Sequence, residues 1–130
     1  GNAEDVKTAV HMGAVRIGHG VRIAGNKEVI QLVKDKGVFL EMCPTSNRQT
    51  KAVEEMSAYP LKAFLEMGLK VTLNTDDPAI ERTTLSREFR YMESLLNLTQ
   101  EQKRLLLLNS VEAAFTSRNR KCKLKEQLLF

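Results

Sequence analysis

Strand-like apolar segments alternate with amphipathic helical segments along the first 75 residues of this chain. The sequence predicts strands over 14–19, 38–43 and 70–75, helices over 26–36 and 60–67 between them, and further helices afterwards. Strands separated by helices and short connections are typical of a parallel sheet with crossover helices. An α/β fold is therefore expected, in which the three strands end at the same edge of one sheet.

Two adjacent carboxylates, Asp76 and Asp77, follow the third predicted strand in the segment from Asn74 to Pro78. Because neighbouring strand residues point to opposite faces, the two aspartates are expected to have different roles. A charged carboxylate at the inner rim of a sheet needs a cation or a proton nearby. The alternative interpretation is an Asp-Asp-Pro turn that caps the next helix.

A histidine between two glycines, His19, ends the first predicted strand. The flanking glycines allow close approach of a ligand or another backbone, and histidine titrates nearest to neutral pH. A hydrogen-bonded structural histidine is the alternative, and we assign His11 to that class. The second strand runs into Cys43, Pro44 and small polar residues. All three segments lie at the carboxyl ends of strands, where parallel α/β folds place their active sites.

The segments 16–20, 41–47 and 74–78, in this order and at these intervals, resemble the last three barrel strands of the adenosine deaminase family, within the amidohydrolase superfamily. The resemblance covers about residues 1 to 118. It implies that residues 1–130 form the C-terminal part, about strands 6 to 8 with their helices, of a (β/α)8 TIM barrel. The domain would be a partial metal-dependent deaminase whose N-terminal part is missing.

The resemblance also implies a function, the zinc-dependent hydrolysis of adenosine and deoxyadenosine to inosine and ammonia. Asp76 would be the metal ligand to Zn²⁺, since it matches the first aspartate of the family's pair. Asp77 would bind the substrate by accepting a hydrogen bond from the purine ring. His19 would be catalytic, beside the metal-bound water. Adenine and AMP deaminases are similar families with neighbouring substrates.

The chain departs from the family pattern because it contains only two histidines. Neither belongs to a His-x-His or a His-Ala-Gly-Glu motif, so three of the family's four protein zinc ligands and its ring-protonating glutamate are absent. The segment that begins at Gly1 resembles the part of the family that comes just after the fifth-strand motif. We therefore expect the fragment alone to be inactive and to need the missing N-terminal half of the barrel. Self-association of the fragment and a noncatalytic binding module are the alternatives.

The cysteine content favours a cytoplasmic protein, and the resemblance implies a small-molecule partner, the purine nucleoside substrate. Cys43 and Cys122 form neither a metal pair nor a disulfide framework. The longest apolar run, 105–108, is far shorter than the roughly 20 residues that span a membrane, and the start shows no signal-peptide pattern. The net charge is +4, and the basic residues responsible for this excess lie mostly near the end of the chain. We interpret these basic residues as a solvated helix face and expect no nucleic acid partner: Arg118, Arg120, Lys121, Lys123 and Lys125.

Glu41 lies among apolar neighbours in the second predicted strand. A carboxylate is costly to bury without a partner. We therefore expect Glu41 to hydrogen-bond to His19 and fix its tautomer, as carboxylates near metal sites often do. An exposed or helix-paired glutamate is the alternative.

Several residues mark the ends of the predicted helices. Gly37 and Gly68 are expected to end the helices that precede the second and third strands. Thr84 is expected to cap one later helix, and Thr99 with Gln102 forms a capping box for the next.

Overall fold

The computed structural model describes residues 1–128. Its helices and strands are, in chain order, α1 (Ala3–His11), β1 (Arg16–Gly18), α2 (Lys27–Lys36), β2 (Phe39–Met42), α3 (Pro44–Gln49), α4 (Leu61–Glu66), β3 (Lys70–Leu73), α5 (Leu85–Leu96), α6 (Gln100–Ala113) and α7 (Arg118–Gln127). Two short 3-10 turns, Val21–Ile23 and Met56–Ala58, lie in the connections.

The three strands form one parallel sheet in the order β1-β2-β3. Ile17 lies opposite Leu40, which in turn lies opposite Val71. All three strands therefore end at the same edge, and the predicted α/β arrangement is confirmed. Each strand is shorter than predicted, because the chain turns away soon after the last ladder bonds, in which His19 N–H donates to Glu41 C=O and Asn74 N–H to Met42 C=O.

Most of the core lies between the sheet and the helices that connect the strands. Leu40 and Val71 are fully buried in the two neighbouring strands. Helices α4 and α6 pack against β3, and their buried side chains include Phe64 and Leu106. Thr72 is buried as well, so successive residues of β3 are enclosed on both faces of the sheet, as expected for a parallel sheet with helical connections.

The helix ends follow the local signals in the sequence. Gly37 ends α2 with a φ of 63°. The side chain of Thr84 accepts a hydrogen bond from the first turn of α5. Thr99 and Gln102 form the predicted capping box at the start of α6. These caps supply partners for backbone groups that a helix end leaves unpaired.

One helix was not predicted. The polar residues that follow β2 begin α3 at Pro44, where the fixed φ of proline suits the first turn of a helix. Four consecutive residues of α3 are buried: Pro44, Thr45, Ser46 and Asn47. The helix therefore places small polar side chains at the carboxyl edge of the sheet.

The basic C-terminal helix α7 has no buried residue, which agrees with the predicted solvated face. Lys125 forms an ion pair with Glu112 of α6, and Lys121 Nζ donates to the Glu112 carbonyl at 2.5 Å. Among residues 1–128, none of the helices is both long enough and apolar enough to cross a membrane.

Gly20 provides a test of how tightly the turn after β1 approaches β2. Its φ is 73°, and a Cβ at this position would lie 2.8 Å from Leu40 Cδ2. Gly25 has a similar φ of 84° but no atom within 4 Å of the corresponding Cβ, so it is a matched control. We expect Gly25→Ala to lower the free energy of unfolding by about 1 kcal/mol through the backbone alone. Gly20→Ala should lower it by about 2–3 kcal/mol, because the overlap with Leu40 adds to that.

Urea unfolding of the two variants measures the difference. Equal losses would contradict the close contact between Gly20 and Leu40.

Candidate active site

The carboxyl edge of the sheet brings together side chains from all three strand ends. Ligand atoms of His19, Cys43 and Asp76 lie within 4.8 Å of one another. His19 Nε2 and Asp76 Oδ2 are 3.7 Å apart, although β2 separates the two strands that carry them. These three donors offer nitrogen, sulfur and oxygen, which are the ligand types of zinc sites.

His19 and Asp76 share an unusual backbone conformation. His19 has a φ of 63° and Asp76 a φ of 62°, both in the left-handed region that few residues other than glycine adopt. Both residues lie just beyond a strand, and at each of them the left-handed backbone turns the chain away from the strand direction. The two carboxylates after β3 were expected to diverge by strand alternation, but β3 ends at Leu73. The turn at Asp76, and not the strand, directs Asp76 and Asp77 to different partners.

Asp76 is oriented by α3. The hydroxyl of Ser46 donates to Asp76 Oδ2 at 2.7 Å. Ser46 is buried, whereas the Asp76 side chain is about half exposed. A buried donor thus holds a carboxylate that still faces solvent, an arrangement that suits a metal ligand whose own orientation must be fixed.

His19 is oriented by a different side chain than predicted. Its Nδ1 lies 3.0 Å from Asn47 Nδ2, and Asn47 Oδ1 accepts from the Tyr59 hydroxyl at 2.8 Å. The prediction that the Glu41 carboxylate fixes His19 is wrong, because Glu41 Oε1 pairs with Arg16 Nε at 3.3 Å. The sheet register explains this: Glu41 lies opposite Gly18, and Arg16 is two residues earlier on the same face.

Asp77 hydrogen-bonds within its own turn. Its Oδ1 accepts from the backbone N–H groups of Ala79 and Ile80, each at 3.1 Å. The turn of the alternative interpretation is therefore present, but it caps no helix, because the next helix, α5, is capped by Thr84. Asp77 is nevertheless exposed next to Asp76, so its role in substrate binding stays a prediction.

Cys43 was not predicted to belong to the site. It is buried, and its thiol donates to the Glu41 carbonyl at 3.4 Å. Burial, together with the nearby charge of Asp76, raises the pKa of the thiol to about 12. Since metals bind the thiolate, a metal at this cluster would have to displace the thiol proton before Cys43 could bind. Asp76 is the donor of this cluster whose chemistry fits a zinc ligand, and His19 lies beside it.

A buried carboxylate, Glu88 of α5, lies behind the site. Glu88 Oε1 accepts from the hydroxyls of Thr45 at 2.5 Å and Thr83 at 2.6 Å, and Glu88 Oε2 accepts from Thr45 N–H at 3.1 Å. These bonds connect α3 with the loop that follows Asp77. Sequence reasoning missed Glu88, yet it lies four residues before the buried Met92, so helical periodicity places it on the buried face.

Two adjoining depressions flank His19 and Asp76. One is lined also by Glu41, Cys43 and Asn74. The other is lined on its far side by residues of the first strand end and of α3: Gly20, Ser46 and Asn47. A wider groove between α5 and α6 lies away from the strand ends and contains neither His19 nor Asp76.

Comparison with known protein families matches residues 1–129 to the family described as adenosine deaminase. The chain belongs to the adenosine deaminase family. An adenosine deaminase of Clostridium botulinum (strain Okra / Type B1) is 44% identical over 126 residues, which are 96% of this chain and 38% of that protein. The chain thus spans little more than a third of the length of this relative.

Solved structures agree with the family assignment. The adenine deaminase from Arthrobacter aurescens is 30% identical, with a TM-score of 0.93 over 98% of this chain and 39% of that chain. An amidohydrolase from Burkholderia ambifaria, solved with bound Zn, is 23% identical and shares the fold, with a TM-score of 0.86 over 98% of this chain and 36% of that one. The parallel sheet of this adenosine deaminase family member is therefore part of a (β/α)8 barrel.

Proposed function

We propose that the complete protein is a zinc-dependent deaminase that hydrolyses adenosine and deoxyadenosine to inosine and ammonia. The observation that carries the proposal is the approach of His19 Nε2 to Asp76 Oδ2, 3.7 Å apart, at the carboxyl edge of the sheet. A carboxylate and an imidazole at this edge are the groups that metal-assisted hydrolysis needs. The family match gives the pair its chemical context.

Each of the proposed residues has a distinct role. Asp76 would hold the zinc ion through its carboxylate, with Ser46 fixing the orientation of that carboxylate. When bound, zinc lowers the pKa of water from 15.7 to about 7 and so provides a nucleophile at neutral pH. His19 would orient the attacking water and offset the charge that develops on it. Asp77 would accept a hydrogen bond from the purine ring.

Adenosine is the substrate that the comparisons favour. The curated relative with 44% identity is an adenosine deaminase, whereas the adenine deaminase structure is 30% identical. Adenine and AMP are the alternatives. The chain supplies only one wall of the site, so the remaining contacts with ribose and purine would come from the rest of the barrel.

The remaining part of the barrel is the partner that the sheet requires. Within residues 1–128, β1 and β3 are the edge strands of the sheet, and parallel sheets of this class are ordinarily continued on both sides. Pairing with a second copy of the chain is the alternative. A cytoplasmic location agrees with the free thiols of Cys43 and Cys122.

Comparison of this chain with the complete protein tests the proposal. We expect purified residues 1–130 to hold no stoichiometric zinc and to release no ammonia from adenosine. His19 and Asp76 supply two donors, fewer than the three or four protein ligands of a zinc site. The complete protein, with the family's upstream histidines, should bind zinc and form inosine. Metal analysis and ammonia release are the measurements.

Two results would change the assignment. Stoichiometric zinc and inosine formation with residues 1–130 alone would show that the missing strands are dispensable. A zinc-loaded complete protein that deaminates neither adenosine, adenine nor AMP would instead favour a noncatalytic module of deaminase descent.

A further inference from the structure

A buried chain of hydrogen bonds leads from Tyr59 through Asn47 to His19. Tyr59 and Asn47 are only 3% and 2% exposed, respectively. The Tyr59 hydroxyl donates to Asn47 Oδ1 at 2.8 Å, and Asn47 Nδ2 lies 3.0 Å from His19 Nδ1. This series of hydrogen bonds runs from the connection before α4, through α3, to the end of β1.

The chemistry of these groups sets which atom donates and which accepts in each hydrogen bond. Burial raises the pKa of Tyr59, so its hydroxyl keeps the proton that it donates. The hydroxyl donates that proton to Asn47 Oδ1. The amide oxygen of Asn47 is thereby assigned to Tyr59, and its NH₂ group faces His19 Nδ1.

An amide NH₂ group can only donate, so His19 Nδ1 must accept. A neutral imidazole carries one proton, and that proton must then lie on Nε2. Nε2 is the nitrogen that faces Asp76, at 3.7 Å from Oδ2. His19 therefore offers an N–H donor toward the carboxyl edge of the sheet.

We propose that Asn47 and Tyr59 are positioning residues that hold His19 in its Nε2–H tautomer. In the deaminase reaction, on which this role rests, His19 then acts as a hydrogen-bond donor. It stabilises negative charge on the attacking oxygen and is not free to remove a proton as a neutral base. The donor is in place before substrate arrives, because the two positioning residues are buried in the folded chain.

The tautomer is measurable by ¹⁵N NMR of the imidazole rings, without substrate or metal. The chain contains two histidines, and the exposed His11 serves as the internal reference. Spectra are recorded at about pH 8.5, two units above the ordinary pKa of histidine. We expect the downfield signal of the nonprotonated nitrogen to belong to Nδ1 of His19.

Asn47→Asp should invert this assignment. An aspartate at position 47 still accepts from Tyr59 but offers no donor, so His19 Nδ1 becomes protonated whether the ring is neutral or charged. Tyr59→Phe should give a partial shift, because the Asn47 amide becomes free to turn around. Asn74→Asp is the matched control: it adds the same charge in the adjoining depression, which His19 also lines, and the Asn74 amide donates to Thr72 Oγ1 instead of to His19.

The wild-type spectrum alone is decisive if the variants do not fold. A proton on His19 Nδ1 in the wild-type chain would overturn the proposal, as would unchanged His19 signals in both folded Asn47→Asp and Tyr59→Phe. In the complete protein, Asn47→Asp should lower kcat with little change in KM. If the complete protein is not a deaminase, this kinetic readout is lost, whereas the tautomer result stands.

Discussion

Replacing Asp76 with alanine should remove zinc and activity together from the complete protein. Asp76 is the carboxylate that Ser46 orients beside His19. In the proposed site, the metal would lose a charged ligand without Asp76. We expect zinc affinity and turnover to fall by at least about 100-fold, more than the loss that follows removal of an outer contact. Added zinc should restore activity only in part. Metal analysis and steady-state kinetics measure both.

Asp77→Ala is the matched control, since it removes the same charge one residue away. The Asp77 carboxylate contacts its own turn, so zinc should stay bound. Loss of a hydrogen bond to the purine ring should lower kcat/KM by about 30-fold, equivalent to about 2 kcal/mol. If Asp77→Ala loses the metal and Asp76→Ala keeps it, the two roles are reversed.

Replacing Glu88 with alanine should have the largest effect on stability. Glu88 is 1% exposed and accepts three hydrogen bonds from Thr45 and Thr83. Its removal leaves two hydroxyls and one backbone N–H without their acceptor inside the protein. We expect the free energy of unfolding of the chain to fall by about 3 kcal/mol, as for other losses of charged buried partners.

Two further variants separate the charge of Glu88 from its shape. Glu88→Gln has the same shape but one acceptor fewer, so the expected loss is about 1–2 kcal/mol. Glu93→Ala removes a carboxylate from the same helix, where it is 43% exposed and paired with Lys103. That change should lower stability by less than about 1 kcal/mol. Urea unfolding measures the stability of these variants. Equal free energies of unfolding for Glu88→Ala and Glu93→Ala would rule out the proposed connection between α3 and the loop after Asp77.

The sheet and most helices were predictable because they depend on local patterns. Apolar segments, Gly37 and the threonine caps act within a few residues of sequence, and the structure follows them. Helix α3 was missed since its polar sequence resembles a loop, and only burial under α5 and the edge of the sheet makes Thr45, Ser46 and Asn47 a helix.

The members of the candidate site were easier to predict than their contacts. His19 and Asp76 could be selected because strand ends converge in a parallel sheet. The partner of His19 could not, because the contact with Asn47 depends on the turn of α3, 28 residues later in the chain. Glu41 was wrongly paired with His19 because the sequence does not give the register between β1 and β2. That register places Arg16 close enough to pair with the Glu41 carboxylate.

The left-handed backbone of His19 and Asp76 has a consequence for the engineering of this fold. A side chain at a φ near 60° costs about 1–2 kcal/mol relative to glycine, and both residues hold that conformation, at 63° and 62°. A selection for thermal resistance alone would therefore favour glycine at the two positions to which we assign the chemistry. Stabilised versions of this protein should exempt both positions from design, because the proposed activity and folding would make opposite demands on them.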